Sequence, residues 1–286
     1  MEAYLSELLA ALATQRPAEI AAGNIDKQHF PWMHSVQAYV GKLDAIGIAC
    51  SESFIDQIIE NYIRRDLLFL CLALSSGPLF SDDDIACAAR ENVAQPNTLY
   101  LGSHDFYQLM APALLARAGT ALSLFGNSPL NIEDPLIRNL TTMAYKKGLQ
   151  YLAGGEMLEV DRENSGSWRS RLDAVLVSGE AIYAAIDQFE DFMKVRPAGV
   201  VNGKHGQYRL VTGAIKLALQ AGYSCQYVKV IFKDGRYHIR TQALSGSTVE
   251  TICSQYVAEI ERDMDSYPVG WEGILRLTPV ASAHSL

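Results

Sequence analysis

Asn97–Leu109 (NTLYLGSHDFYQL) decides the fold, because a short apolar strand runs directly into a polar turn. Asn97 to Leu101 is the predicted strand, and the residues from Phe106 to Ala118 are apolar at helical spacing. Ligands of open α/β sheets gather at the carboxyl ends of the strands, which predicts His104 at the mouth of a cleft. The alternative is that His104 only hydrogen-bonds to a neighbouring turn.

The alternation of strand and helix continues along the chain. Lys233-Asp234-Gly235 predicts a hairpin turn between the last two strands. The pattern as a whole predicts an α/β fold with a mostly parallel central sheet flanked by helices. The predicted strands are Ala121–Phe125, one near Gln150–Leu152, Ala181–Ile186, Ser224–Phe232 and Arg236–Thr241, and the predicted helices are Asp134–Lys147, Arg171–Ser178, Thr212–Ala221 and Thr248–Ser266.

The N-terminal part of the chain has a helical pattern, with helices predicted at Ser35–Ile46, Ser53–Ala73 and Asp82–Glu91. Ser81-Asp82-Asp83-Asp84 is typical of a helix start, and an acidic metal site is the alternative interpretation. We therefore expect residues 1–95 to form a helical portion packed on an α/β core of residues 96–286, in a single compact unit.

Composition excludes several classes of protein. The 286 residues carry 24 Lys+Arg against 32 Asp+Glu, a formal charge of −8, which argues against a sequence-independent nucleic-acid binder. The five cysteines lack metal-ligand spacing, so we expect no metal site and a reduced, cytoplasmic protein. The N-terminus lacks a signal-peptide pattern, and the longest apolar run, Leu67–Leu74, is too short to span a bilayer. Peripheral contact with a membrane stays open.

Several sequence blocks share their order with a known family. The chain resembles the lysophospholipid acyltransferase superfamily, and within it the bacterial lipid A biosynthesis (lauroyl/myristoyl) acyltransferases, over residues 98–273. The resemblance implies an acyltransferase-like core that uses a thioester donor, either acyl carrier protein or coenzyme A, without a resident cofactor. The blocks are Asn131–Gly148, Leu172–Asp187, Gly203–Phe232, Asp234–Ile239 and Glu259–Trp271.

The resemblance also implies that His104 is a general base toward an acceptor hydroxyl. In the family a carboxylate five residues further on orients this histidine, but that position here is Leu109. The tyrosine–arginine pair of the family, whose arginine is implied to hold an anionic head group, falls on Leu124 and Phe125. The basic tail is replaced by Glu272–Arg276. These departures argue against ordinary lipid A acylation.

Other polar residues complete the candidate site around His104. Gln108 faces His104 if the helix starts at Asp105, and Asp105 is otherwise a helix N-cap. Asp187 ends another strand at the same sheet edge, so we expect it to share one concave pocket with His104 as a catalytic partner. The alternative for Asp187 is a residue of a turn.

Two further groups are predicted to contact substrate. Lys204, His205 and Arg209 form a basic cluster on a loop rich in glycine and charge. They are predicted to receive a phosphopantetheine or carrier-protein phosphate, with a solvated loop as the alternative. Leu109 and Phe125 are predicted to line an apolar substrate pocket.

Two functions from different classes follow. The first is a soluble, divergent acyltransferase of a biosynthetic pathway that moves an acyl group from a thioester donor to a small or carrier-bound acceptor, with His104 as the base. The second is a catalytically degenerate protein of the same fold that binds an acyl chain or a carrier protein. A carboxylate within hydrogen-bond reach of His104 would favour the enzyme.

Overall fold

The computed structural model describes residues 4, 6–10, 30–74, 93–117, 119–127, 135–148, 154–160, 165–187 and 199–279. The predicted helix Asp82–Glu91, the aspartate run that precedes it and the predicted strand near Gln150–Leu152 lie outside these residues.

A mostly parallel six-stranded sheet forms the centre of the fold, in the order β3–β2–β4–β1–β7–β8. Neighbouring strands are parallel throughout except for the hairpin of β7 and β8. The predicted fold class is thereby confirmed. The strands of the described residues are β1 (Thr98–Gly102), β2 (Leu122–Asn127), β3 (Met157–Val160), β4 (Ala181–Ala185), β5 (Gly199–Asn202), β6 (Gly206–Leu210), β7 (Ser224–Lys233), β8 (Arg236–Leu244) and β9 (Thr278–Pro279).

Helices flank this sheet, and α1 and α2 precede it in the chain as the predicted helical N-terminal region. None of the helices in the described part of the chain is both long and apolar enough to cross a membrane. The helices are α1 (Met33–Ala45), α2 (Glu52–Leu74), α3 (Met110–Ala116), α4 (Pro135–Gly148), α5 (Ser165–Ser178), α6 (Gly213–Gln220) and α7 (Val249–Ser266), and short 3-10 turns cover Pro268–Gly270 and Glu272–Arg276.

A second, three-stranded sheet forms where the sequence predicts a loop. β5 pairs with β6 and β6 with β9, all antiparallel. Along β6, Tyr208 and Leu210 are buried while Arg209 between them is exposed, which is the alternation of a half-buried strand. The loop prediction was wrong because glycine and charge obscured this short alternating pattern.

The helix after β1 begins later than predicted, at Met110 rather than Phe106. A carboxyl oxygen of Asp105 accepts a hydrogen bond from the backbone N–H of Tyr107 at 2.8 Å, and such local bonds compete with helix formation. Residues 105–109 therefore make turns, and Gln108 does not sit on a helix that starts at Asp105.

The two N-terminal helices hold the segment that follows α7. The Tyr39 hydroxyl of α1 donates to the Pro268 carbonyl at 2.9 Å and accepts from the backbone N–H of Trp271 at 3.2 Å. Asn61 of α2 donates to the Val269 carbonyl at 2.8 Å. This bracing fixes the position of the Trp271 side chain.

Candidate active site

His104 and Asp187 lie side by side because β1 and β4 are parallel neighbours in register. Gly102, the last residue of β1, pairs with Ala185, the last residue of β4. His104 and Asp187 each follow two residues after those strand ends. Parallel strands thus deliver both side chains to the same level of the carboxyl edge of the sheet.

The two side chains form a hydrogen-bonded dyad. Nδ1 of His104 is 2.8 Å from Oδ1 of Asp187, and the backbone N–H of His104 donates to both carboxylate oxygens at 2.9 and 3.0 Å. The indole N–H of Trp271 donates to Oδ2 at 2.8 Å. Both oxygens of the Asp187 carboxylate therefore accept hydrogen bonds.

The protonation state of Asp187 follows from these contacts. Asp187 is only 2% exposed. Burial by itself raises the pKa of the Asp187 carboxyl, but the charge of His104 and the hydrogen bonds from His104 and Trp271 more than offset this, and the pKa lies below its usual range. An ionised carboxylate only accepts hydrogen bonds, so Nδ1 carries the proton of the neutral imidazole.

Nε2 is then the basic atom of His104. No described residue makes a hydrogen bond to Nε2, and the side chain is 16% exposed. An imidazole with its Nδ1–H on a carboxylate and its Nε2 available can accept a proton from a bound hydroxyl or water. The arrangement is that of a general base with its orienting group.

The backbone around the dyad is held firmly. The N–H of Gly273 donates to the His104 carbonyl at 3.1 Å, and the Tyr256 hydroxyl donates to the Gly102 carbonyl at 2.7 Å. Gly102 also lies against Tyr183, since a Cβ added at this position would be 2.1 Å from the Tyr183 hydroxyl. Such packing limits movement of His104.

Asp105 directly follows His104 in the chain, and its side chain is buried. It is 3% exposed, and burial raises the pKa of its carboxyl to about 8, with Lys229 opposing the rise and Asp187 adding to it. Lys229 is itself 3% exposed and lies 4.0 Å from the Asp263 carboxylate. The Asp105 side chain accepts hydrogen bonds from the backbone N–H of Tyr107 at 2.8 Å and from the Ser103 hydroxyl at 3.5 Å, and it does not cap α3, whose N-cap residue is Leu109.

A narrow cleft opens beside Asp187 and Trp271. Two basic residues, Arg209 of β6 and Arg276, line it together with the ring of Tyr208, which stacks on Trp271 with centroids 5.7 Å apart. The lining includes Asp187 but not His104, so the expected shared pocket is seen only on the aspartate side.

The predicted basic cluster divides between two places. Lys204 donates to the Asp265 carboxylate at 2.9 and 3.0 Å, and Nε2 of His205 is 3.0 Å from the same carboxylate. Hydrogen bonds and charge from Lys204 and His205 hold the pKa of Asp265 below its usual range. Among these three basic residues only Arg209 lines the cleft beside Asp187.

The other predicted contact residues lie apart from that cleft. Leu109 and Phe125 are half-buried and pack against the core, and the Phe125 ring meets Trp168 edge-on with centroids 5.6 Å apart. Gln108 is half-buried, and its backbone N–H donates to the Asp105 carbonyl at 3.3 Å.

Trp271 contacts the dyad but was not predicted as a site residue. It lies 84 residues beyond Asp187, and its only signal in the sequence is its place at the end of the block Glu259–Trp271. The described residues include no group of three or more His, Cys, Asp or Glu side chains that could hold a metal ion.

A scan against models of known protein families found no match to this chain. A search of the curated proteins also found none. The likeness to acyltransferases therefore depends on the order of the sequence blocks.

Proposed function

We propose that this protein is a divergent acyltransferase of the cytoplasm in which His104 is the general base and Asp187 orients it. The observation that carries the proposal is the 2.8 Å contact between Nδ1 of His104 and Oδ1 of Asp187. The sequence has Leu109 where the family has the carboxylate that orients the histidine. In this proposal Asp187 supplies that carboxylate instead.

The dyad supports acyl transfer by the following steps. Nε2 of His104 takes the proton of the acceptor hydroxyl while the hydroxyl oxygen attacks the thioester carbonyl. The tetrahedral intermediate collapses, the carbon–sulfur bond breaks, and the departing thiolate takes the proton back from Nε2. Asp187 stabilises the imidazolium that exists between these two proton transfers.

The donor and acceptor follow from the surroundings of the dyad and from the resemblance. The donor is an acyl carrier protein or coenzyme A thioester, as the resemblance implies, and the exposed side chains of Arg209 and Arg276 beside Asp187 suit the phosphate of its pantetheine arm. The acceptor is small or carrier-bound and lacks the anionic head group of lipid A, because Phe125 stands where the family has the arginine that is implied to hold this group. No resident cofactor is required.

The test is incubation with a panel of acyl-thioesters and hydroxyl or amine acceptors, with transfer or hydrolysis detected by intact mass. His104→Ala is expected to lower turnover by roughly two to four orders of magnitude, the usual effect of losing a general base. Asp187→Asn is expected to lower turnover too, because an amide at this position favours the wrong imidazole tautomer.

His34→Ala is the matched control, since His34 is exposed on α1. Wild-type turnover in His104→Ala would exclude the base role. Saturable binding of a thioester without any turnover by the native protein would favour the degenerate binding protein instead.

A further inference from the structure

A second cleft, of about 660 Å³, lies between α2 and the tip of the β7–β8 hairpin. Charged residues stand on both of its walls, and Tyr267 closes a third side. The charged residues are Glu60 and Arg64 on the wall of α2, and Lys233 and Asp234 on the wall of the hairpin.

Arg64 is the unusual residue of this cleft. Its guanidinium carbon lies 4.1 Å from the centre of the Phe232 ring, so the planar group stacks on the hairpin and is held in one orientation. Nη1 is buried and has no hydrogen-bond partner among the residues that the structure describes. A buried charged donor without an acceptor is unfavourable, and the guanidinium that carries it belongs to a residue lining the cleft, where an oxyanion would compensate its charge.

The balance of charge restricts what the cleft can hold. Two cations, Arg64 and Lys233, face two carboxylates, Glu60 and Asp234. A polyanion would be repelled by the carboxylates, whereas a molecule with one oxyanion and several hydrogen-bond donors would match both signs. An apolar ligand would leave all four charged groups unpaired.

We propose that this cleft binds a small polar metabolite that carries one carboxylate or phosphate group. The oxyanion accepts hydrogen bonds from Arg64 and Lys233, and the hydroxyl or ammonium groups of the ligand donate to Glu60 and Asp234. The site is distinct from the His104–Asp187 dyad, and it does not depend on the acyltransferase proposal.

The experiment is a titration of the full chain with inorganic phosphate, acetate and glycine, followed by NMR of the arginine side chains and of the Gly235 amide. A saturable shift of the Arg64 signal with phosphate but not acetate identifies a phosphate site, and the reverse identifies a carboxylate site. In the second case glycine is expected to bind more tightly than acetate, because its ammonium group meets Glu60 or Asp234. Equal affinity for glycine and acetate would overturn the role of the carboxylates.

Variants test the same point. Arg64→Gln is expected to weaken binding by roughly tenfold or more, because a charge-assisted hydrogen bond is lost. Arg169→Gln is the control, because Arg169 is an exposed arginine on α5, and it is expected to leave binding unchanged.

Lys233→Gln is expected to weaken binding while leaving the fold intact, since Lys233 is exposed, and Lys216→Gln on α6 is its control. Absence of saturable shifts with all three probes, or unchanged affinity in both cleft variants, would overturn the proposal.

Discussion

Asp187 stays ionised although almost none of it is exposed, because donors surround its carboxylate. The His104 side chain and backbone supply part of this environment, and the indole of Trp271 supplies the rest. Trp271 donates its hydrogen bond to the carboxylate, so it acts on the proposed base through Asp187. In the proposed mechanism it is a positioning residue, and its effect on Asp187 is measurable without knowing the substrate.

Trp271→Phe removes the indole hydrogen bond and is expected to raise the pKa of Asp187, since one group that favours the ionised form is lost. Asp187 stabilises the folded state above its unfolded pKa, and this stabilisation disappears as the pH falls through the lower folded pKa. The variant therefore loses stability mainly above about pH 4. Carbon NMR of the Asp187 carboxyl measures the shift directly.

Trp32→Phe is the matched control, because the Trp32 indole also donates to a carboxylate, that of Asp66, at 2.8 Å. It is expected to leave the titration of Asp187 unchanged. An unaltered Asp187 pKa in Trp271→Phe would contradict the positioning role.

Asp105 has the opposite dependence on pH. Its folded pKa of about 8 lies above the ordinary value of 3.8, so between these values the unfolded chain releases a proton that the folded protein keeps. The contribution of Asp105 to the free energy of unfolding therefore falls as the pH rises from 3.8 to about 8. Asp105→Asn removes the titration, and the variant is expected to gain stability relative to the wild type between about pH 5 and about pH 8. Urea unfolding at the two pH values measures the change.

Asp265→Asn gives a control of opposite sign, because the pKa of Asp265 is held low by Lys204 and His205. Its disadvantage relative to the wild type is expected to grow as the pH rises from the folded pKa of Asp265 to about 4, and to stay constant between about pH 5 and about pH 8. A difference between Asp105→Asn and the wild type that does not vary with pH would show that Asp105 is ionised in the folded protein.

At the scale of elements, the register of β1 and β4 sets the position of the dyad. Gly102 of β1 lacks a side chain and so leaves room for the Tyr183 side chain of β4. Gly102→Ala is expected to destabilise the protein by about 1–3 kcal/mol, because the new methyl group would overlap the Tyr183 side chain. Urea unfolding measures this loss. The loss is expected to shrink in a Tyr183→Leu background, where the overlapping phenol is absent.

Gly41→Ala in α1 is the control, since the added Cβ meets no atom of the described residues within 4 Å apart from its chain neighbours and the backbone of its own helix. It is expected to be neutral or stabilising, as alanine generally is in a helix. An equal loss for Gly102→Ala with tyrosine and with leucine at position 183 would rule out the overlap as its cause.

The elements also show what the sequence can and cannot predict. The β7–β8 hairpin was predicted, because Asp234 and Gly235 take the positive φ angles, 53° and 74°, that a tight turn requires. The start of α3 was not predicted, because the hydrogen bond from Tyr107 to the Asp105 side chain replaces the first helical turn.

The same limit applies to the candidate site. Each of His104 and Asp187 is recognisable in the sequence as a polar residue after an apolar strand. Their contact depends on β4 lying next to β1, which local sequence does not encode. Trp271 could not be found in this way, because it reaches Asp187 from a segment after the last long helix that tertiary contacts hold in place.

At the scale of the whole molecule, the N-terminal helices make hydrogen bonds to the segment that carries Trp271. The Tyr39 hydroxyl is hydrogen-bonded on both sides of the short turn that leads to Trp271. Lys42, one turn along α1, donates to the Leu277 carbonyl at 2.7 Å. Helices far from His104 in the sequence therefore set the position of the group that holds Asp187.

Tyr39→Phe tests this coupling, because it removes one hydroxyl and keeps the buried ring. We expect a loss of about 1–3 kcal/mol in the free energy of unfolding, since the Trp271 N–H loses its acceptor and the Pro268 carbonyl loses a donor. We also expect a shift of the proton NMR signal of the His104 Nδ1–H, because a displaced Trp271 changes its hydrogen bond to Asp187.

Tyr223→Phe is the control, as the buried Tyr223 hydroxyl donates to backbone carbonyls of α5 at 3.1 and 3.3 Å. It should lower stability and leave the His104 signal unmoved. If Tyr39→Phe behaves in the same way as this control, the N-terminal helices stabilise the fold without positioning the dyad.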